Sequence, residues 1–136
     1  MFVTNPLRVL IVDDHPAVRE GLAQMIATQT DMAVVGSASD GQEAVALIEA
    51  LNPDVTVLDV RLPGLNGLEV IQTIRQQTEH GRFILMSSAQ GEQTEAQALQ
   101  IGASAFLLKE AFGEELLAAI RQVAHSVSAT ATPNQS

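Results

Sequence analysis

The sequence contains no cysteine, tryptophan or tyrosine among its 136 residues. The lack of cysteine excludes disulfides and thiolate metal sites. No apolar run approaches the roughly 18 residues of a membrane span, and the N-terminus has neither the basic start nor the apolar core of a signal peptide. We therefore expect a soluble, cytoplasmic protein that has no membrane partner.

Positive charge is also scarce in this chain. Aspartate and glutamate together number 16 against 7 lysines and arginines, which gives a formal net charge of -9. Such an acidic balance argues against a nucleic-acid surface on this fragment. The length and the 46% of hydrophobic residues are typical of one globular domain. We expect this domain to span residues 1–126, and residues 127–136 to form a flexible tail or the start of a linker.

Strand-like and helix-like patterns alternate along the sequence. The predicted strands are Leu7 to Val12, Met32 to Val35 closed by Gly36, the run through Val55, Val57 and Leu58 to Asp59, Phe83 to Met86, and Ala105 to Leu108. The first predicted helices start at Pro16 and at Asp40-Gly41, and the second of them stops at Asn52-Pro53. Three more helices are predicted. The third contains Leu68, Ile71 and Ile74 and ends near His80-Gly81, and the fourth runs from about Glu92 to Ile101, before Gly102. The fifth contains Leu116, Leu117 and Ile120.

Strands separated by such helices form parallel βαβ units with right-handed crossovers. The pattern therefore predicts an α/β fold with a doubly wound, five-stranded parallel sheet and helices on both faces. In such a sheet the carboxyl ends of all strands share one edge, where ligands bind. The polar side chains that follow the predicted strands are Asp13, Asp14, Asp59, Ser87 and Lys109. We expect these five side chains to converge at one edge of the sheet.

The chemistry of these five side chains is mutually consistent. Neighbouring carboxylates repel one another unless a divalent cation neutralises them. Oxygen ligands with no histidine or cysteine nearby suit Mg²⁺. Lys109 offers a positive charge for a phosphoryl oxygen, and Ser87 offers a hydroxyl donor. Because aspartate carboxylates can act as covalent nucleophiles toward phosphoryl groups, the set predicts an aspartyl phosphate on Asp59.

Each of these residues has a simpler interpretation when it is taken alone. The pair Asp13-Asp14 could form an exposed turn or a helix cap, and His15 is interpreted as a turn or cap residue. Lys109 would ordinarily be a solvated surface lysine, but it is the only lysine in a chain with six arginines. Ser87 competes with Ser88, and we prefer Ser87 because it is the first polar residue after Phe-Ile-Leu-Met.

Four parts of the sequence together form a specific pattern. They are Val-Asp-Asp-His-Pro at 12–16, Leu-Asp-Val-Arg-Leu-Pro-Gly-Leu-Asn-Gly at 58–67, Ser87, and Gly-Ala-Ser-Ala-Phe-Leu-Leu-Lys at 102–109. With them, residues 7–126 resemble a response regulator receiver domain of bacterial two-component signalling. The opening Asp-Asp-His-Pro-x-x-Arg-x-Gly-Leu further resembles the NarL/FixJ-type subfamily, whose receivers usually precede a LuxR-type helix-turn-helix DNA-binding domain. The resemblance implies a (βα)5 flavodoxin-like fold with strand order 2-1-3-4-5.

The resemblance also implies functional roles. Asp59 would accept a phosphoryl group from a sensor histidine kinase, with Lys109 and Ser87 contacting that group. The implied Mg²⁺ ligands are Asp14 and Asp59 directly, Asp13 through water, and the backbone carbonyl of Arg61. Such a signalling domain is not an enzyme in the usual sense, since it catalyses only its own phosphotransfer and dephosphorylation. Further partners would be a second copy of the chain after phosphorylation and, through an output domain outside this fragment, DNA for the regulation of transcription.

Two residues have roles that the sequence leaves more open. Phe106, where many receivers carry tyrosine, is a core or half-buried aromatic that the resemblance makes a switch candidate together with Ser87. Arg61, two residues after Asp59, departs from the asparagine of some members. Its side chain could reach the phosphoryl group or merely lie on the surface. The predicted helix from Glu92 to Ile101 has few large apolar residues, so we expect it to be the least firmly packed.

Three alternatives share this architecture. A haloacid-dehalogenase-like phosphatase also has a strand-end aspartate and Mg²⁺, but it needs a second aspartate where this chain has Arg61. A flavodoxin needs a hydroxyl-rich or glycine-rich phosphate loop after the first strand, where Asp13-Asp14 would repel a cofactor phosphate. A pseudo-receiver that never carries phosphate is the third alternative, although the complete acidic set and Lys109 argue against it.

Overall fold

Strands and helices alternate along the part of the chain that the structure, a computed structural model, describes: residues 5–88, 95–111 and 113–131. The strands are β1 (Leu7–Val12), β2 (Met32–Ala38), β3 (Val55–Asp59), β4 (Arg82–Ser87) and β5 (Ala105–Leu108). The helices are α1 (Pro16–Ala27), α2 (Gly41–Leu51), α3 (Gly67–Arg75), α4 (Glu95–Gln100) and α5 (Glu114–Ala131). All neighbouring strands are parallel, in the order β2-β1-β3-β4-β5. This confirms the predicted fold class and strand order.

Helices cover both faces of the sheet, and each face has its own apolar core. Because successive residues of a strand point to opposite faces, Leu10 and Leu58 pack on the side of α2 and α3, whereas Val9 and Val57 pack on the side of α1 and α5. Every residue of β3 is buried. Asp59 therefore lies at the end of the central strand β3, which is covered by helices on both faces of the sheet.

Strand β2 continues through Gly36, although the sequence predicted that the strand Met32 to Val35 would end there. The register between β1 and β2 shifts by one residue between Val9 and Leu10, so Gly36 pairs with Leu10. A Cβ atom at Gly36 would lie 3.1 Å from a methyl group of Leu51. Gly36 thus lies within β2, where the missing side chain lets α2 pack close to the strand, and it does not mark the end of β2.

Helix α3 ends at Arg75, before the predicted end near His80-Gly81. All residues from 75 to 82 are polar or glycine, so the chain has no apolar side chain with which to extend the buried face of the helix. The Arg75 guanidinium instead donates to the carbonyl oxygens of His80 and Gly81, each at 2.9 Å, and of Gly102 at 3.4 Å. It also lies 4.9 Å from the centre of the Phe83 ring. Arg75 therefore joins the loop before β4 to the loop before β5.

The start of α3 is fixed by a capping box. The Asn66 side chain accepts from the backbone N–H of Glu69 at 2.9 Å, and the Glu69 carboxylate accepts from the backbone N–H of Asn66 at 2.9 Å. The next residue, Gly67, packs so closely that an added Cβ would collide with the carbonyl oxygen of Asp59. This cap therefore sets where α3 begins beside the end of β3.

The last two helices differ in how they are anchored. In its described part α4 buries only Ala98, and its predicted start at Glu92 lies outside the described residues. Helix α5 buries Leu116, Leu117 and Ile120 and continues to Ala131, past the predicted domain boundary after residue 126, which stays a prediction. Within the described ranges, no helix is both long and apolar enough to cross a membrane.

We predict that Asn66→Ala lowers the free energy of unfolding by about 1 kcal/mol, because it leaves the N–H of Glu69 without its capping acceptor. Asn66→Asp keeps an oxygen acceptor at the helix start and should retain most of the stability. Urea denaturation of the two variants and the parent measures both effects. An equal loss in the two variants would contradict the assignment of the capping bond.

Candidate active site

The carboxyl ends of four strands bring the five predicted polar side chains to one edge of the sheet. Asp14, Asp59, Ser87 and Lys109 line a cleft of about 430 Å³, and Asp13 contacts Lys109 beside it. Asp13 and Asp59 are only 3% and 5% exposed. The predicted convergence of these side chains is therefore what the structure shows.

Lys109 connects the two buried carboxylates. Its ammonium nitrogen lies 2.8 Å from Oδ2 of Asp59 and 3.2 Å from Oδ2 of Asp13. Burial alone would lower the pKa of Lys109, but the hydrogen bond and charge of Asp59, followed by the charge of Asp13, outweigh burial and raise this pKa above its usual value. The lysine is therefore firmly protonated, and it offsets part of the repulsion between the two carboxylates.

The second oxygen of Asp59 is held by the backbone. Its Oδ1 accepts the N–H of Arg61 at 3.1 Å, and the intervening Val60 donates its N–H to the carbonyl of Met86 at 2.9 Å. The Arg61 side chain is exposed, and its guanidinium has no hydrogen bond or ion pair among the described residues. Both predicted alternatives for this side chain stay open, but its backbone already orients Asp59.

Asp13 and Asp14 form a turn that also involves His15. The backbone N–H of His15 donates to Oδ1 of Asp13 at 2.9 Å. The Nδ1 atom of His15 lies 3.1 Å from Oδ1 of Asp13 and 3.0 Å from Oδ1 of Asp14. His15 is the N-cap residue of α1, which confirms its interpretation as a turn or cap residue, but its ring also lies beside carboxylates that were predicted to form an oxygen-only set. The adjacency of His15 to the acidic pair was the signal that could have revealed this contact.

The contact made by Arg19 was also not predicted. This residue lies in the first turn of α1, and its Nη1 donates to the backbone carbonyl of Asp13 at 2.7 Å. The available signal was its place six residues after Asp13, just beyond the helix start at Pro16. A cation at this point fixes the backbone of the acidic turn.

The two switch candidates lie on neighbouring strands. Ser87 is buried, and its hydroxyl donates to the carbonyl of Ser88 at 3.2 Å and not to Asp59. The backbone N–H of Lys109 donates to the carbonyl of Ser87 at 2.8 Å, which joins the ends of β4 and β5. Ser88 is exposed and also lines the cleft. Phe106 is half-buried on β5 and packs against the core on the side of α3.

The acidic side chains could hold a metal ion. One ligand atom from each of Asp13, Asp14, His15 and Asp59 can be chosen so that all four lie within 4.8 Å of one another. Three carboxylates facing one lysine leave an excess of two negative charges, which one divalent cation would balance. Carboxylate oxygens with room for water are the ligand set of a hard cation, so these residues fit such an ion.

Comparison with known proteins agrees with this geometry. Residues 9–121 match the family described as the response regulator receiver domain. Because the match covers well over half of the chain, the protein belongs to this family and is a signalling domain. This result confirms the resemblance and decides against the phosphatase and flavodoxin alternatives.

Individual relatives are of the NarL type. The chain is 40% identical over 120 residues to the nitrate/nitrite response regulator protein NarL of Escherichia coli (strain K12), covering 88% of this chain and 56% of that protein. It is 36% identical to the transcriptional regulatory protein YxjL of Bacillus subtilis (strain 168), covering 88% of this chain and 55% of that protein. The chain therefore spans about half the length of these curated relatives.

A solved structure has the same fold. The signal receiver domain of the putative response regulator NarL from Mycobacterium tuberculosis superposes with a TM-score of 0.84 at 38% sequence identity. The match covers 89% of this chain and 98% of that chain. The fold of this chain is thus that of a receiver domain.

We predict that the stabilising effect of Lys109 disappears at alkaline pH. Because its pKa is raised on folding, the contribution is fully present below the pKa of an unfolded lysine, about 10.4, and is lost as the pH rises through the higher folded pKa. The chain has no tyrosine, cysteine or other lysine, so no other side chain titrates between about pH 9 and 11. Urea unfolding should therefore show a difference between parent and Lys109→Met that is constant near pH 8 and shrinks above about pH 10.5.

Lys109→Arg is the matched control, because arginine keeps its charge throughout this range. Its stability should not share the alkaline decline of the parent. If Lys109→Arg loses stability as steeply as the parent, the decline does not come from Lys109.

Proposed function

We propose that this chain is a phosphorylation-controlled receiver in which Asp59 accepts a phosphoryl group from a sensor histidine kinase. The observation that carries the proposal is the position of Asp59, buried at the end of β3, bonded to the Lys109 ammonium and adjacent to the acidic turn of Asp13 and Asp14. Family membership supports the same conclusion.

The proposed cofactor is Mg²⁺. Its ligands would be Asp14 and Asp59 directly, Asp13 through water and the backbone carbonyl of Arg61. When bound, the ion would neutralise the excess negative charge and stabilise the charge of a phosphoryl oxygen. The proposal is supported by the carboxylates gathered at the cleft, whose mutual repulsion one lysine only partly offsets.

In the proposed transfer a carboxylate oxygen of Asp59 attacks the phosphorus of the kinase phosphohistidine. A bond between phosphorus and the carboxylate oxygen forms, and the bond between phosphorus and nitrogen breaks with its electron pair left on the histidine ring. Lys109, already 2.8 Å from Asp59, would turn its ammonium to an oxygen of the new phosphoryl group. Hydrolysis of the acyl phosphate would return Asp59 to its carboxylate form, so the domain catalyses only its own phosphorylation and dephosphorylation.

We further propose that Ser87 and Phe106 carry the signal away from Asp59. The Ser87 hydroxyl, which among the described residues donates to the Ser88 carbonyl, would turn toward a dianionic group on Asp59. Helix α4 buries a single side chain in its described part, so a shift of β4 and β5 meets little resistance there. Such a shift would bias an equilibrium between two packings of Phe106.

The proposed output is regulation of transcription through a DNA-binding domain joined to the receiver. The curated relatives include transcriptional regulatory proteins of which this chain covers only 55% and 51% of the length. Phosphorylation would act through the face formed by α4, β5 and α5, as a surface for a second copy or another partner. Leu99 on α4 and Leu108 on β5 are the large apolar side chains exposed in the described part of the chain, at 46% and 45%.

We predict that acetyl phosphate or phosphoramidate with Mg²⁺ adds one phosphoryl group to the parent protein, detected by intact-protein mass spectrometry. Asp59→Asn should not gain the mass, because an amide cannot act as the nucleophile. Asp54→Asn is the matched control, since Asp54 is an exposed aspartate at the opposite edge of the sheet, and it should be modified like the parent. Chelation of Mg²⁺ should suppress the reaction in both reactive proteins.

A mass gain in Asp59→Asn would show that the nucleophile is another residue. A parent protein that gains no mass with Mg²⁺ present would favour the pseudo-receiver.

We predict that beryllofluoride, a mimic of the phosphoryl group, changes amide hydrogen exchange across β4, α4 and β5. The physical reason is that a new anionic group on Asp59 attracts Ser87 and Lys109, which lie at the ends of the two strands. Asp59→Asn should show no such change. Protection that stays unchanged in β4, α4 and β5 while α1 responds would point to output through another face.

A further inference from the structure

Arg19 makes a contact that no step of the proposed phosphorylation uses. Its guanidinium donates from the first turn of α1 back to the carbonyl oxygen of Asp13, at 2.7 Å. A hydrogen bond from a charged donor is stronger than one between neutral groups. The interaction therefore joins the helix firmly to the turn that carries the two acidic residues.

The carbonyl bound by Arg19 belongs to the peptide group that links Asp13 to Asp14. Because a peptide group is planar, fixing its oxygen also fixes the direction in which the chain enters Asp14. On the other side of Asp13, its N–H donates to the carbonyl of Ala38 at 3.1 Å. The sheet thus fixes the entry to the acidic turn, and Arg19 fixes its exit.

Asp14 depends on this restraint more than Asp13 does. The Asp13 carboxylate is buried and contacts both Lys109 and His15. The Asp14 side chain is 37% exposed, and its only partner among the described residues is the ring of His15, which is itself 64% exposed. The orientation of the Asp14 carboxylate therefore rests on its backbone, which Arg19 holds at the peptide before Asp14 and the bond from the His15 N–H to Oδ1 of Asp13 holds at the peptide after it.

We propose that Arg19 is a positioning residue that presents the Asp14 carboxylate to the divalent cation. The proposal rests on the proposed function, since it takes Asp14 as a direct ligand of Mg²⁺. Arg19 would contact neither the ion nor the phosphoryl group. Its effect on the cation would pass through the peptide group between Asp13 and Asp14.

Arg8 provides a matched comparison for a purely structural role. Like Arg19 it is half-buried, and its Nη1 donates to a backbone carbonyl, that of Asn52, at 2.9 Å. Arg8 lies near the start of β1, at the edge of the sheet opposite the acidic turn. Removing its side chain should affect stability without affecting the binding of a cation at the acidic turn.

The experiment is calorimetric titration of Mg²⁺ into the parent, Arg19→Met, Arg19→Lys and Arg8→Met, each checked for folding by circular dichroism. We expect Arg19→Met to weaken Mg²⁺ binding on the order of ten-fold, as is typical when a residue that orients a ligand is removed. Arg19→Lys keeps a charged donor and should recover part of the affinity, and Arg8→Met should bind like the parent. In NMR spectra without metal, the amide signals of Asp14 and His15 should move in Arg19→Met and stay in place in Arg8→Met.

Two outcomes would overturn the inference, and they differ in what they say about the proposed function. If the parent binds Mg²⁺ and Arg19→Met binds it equally tightly, Arg19 has only a structural role and the proposed function stands. If the parent itself binds no Mg²⁺, the metal site fails and the inference fails with it.

Discussion

The ion pairs of Lys109 are the interaction on which the functional edge of this domain depends. In a chain with a net charge of -9, two carboxylates with almost no exposure face each other across the ends of β1 and β3. Buried charges are costly unless they are paired. Lys109, at the end of β5, pairs with both and so joins three strands by charge. These ion pairs hold the carboxylates together and leave an excess of negative charge, which a divalent cation would balance.

Much of this arrangement could be predicted because parallel βαβ units leave few topologies open. Once the strands were assigned, their common direction was enough to predict that Asp13, Asp59 and Lys109 lie at the same edge of the sheet. The apolar runs predicted the first and last residues of β1 and β5 correctly, and Pro16 correctly predicted where α1 begins. These features follow from local patterns, so the sequence alone was sufficient.

What could not be predicted depends on contacts between distant or irregular parts of the chain. Gly36 looked like the end of a strand, but the strand continues through a register shift beside it, and Leu51 of α2 packs close to the glycine. The interactions of His15 and Arg19 with the acidic turn depend on how the chain bends between β1 and α1. A list of residues does not specify such a bend, since several turn geometries fit the same sequence. The side chains that meet at the cleft were thus predictable, whereas the contacts of His15 and Arg19 with the acidic turn were not.

The bonds of Arg75 determine how β5 can move. This side chain holds the carbonyls of His80 and Gly81 before β4 and that of Gly102 before β5, all at the edge of the sheet away from the cleft. Arg75 therefore holds the chain just before β5, and β5 itself pairs with β4 along its length up to Leu108, next to Lys109. Because β5 is the edge strand of the sheet that the described residues form, β4 is its one strand neighbour. A force on Lys109 would act on β5 at the end opposite the Arg75 contacts, so a tilt of this one strand would disturb fewer hydrogen bonds than a shift of the whole sheet.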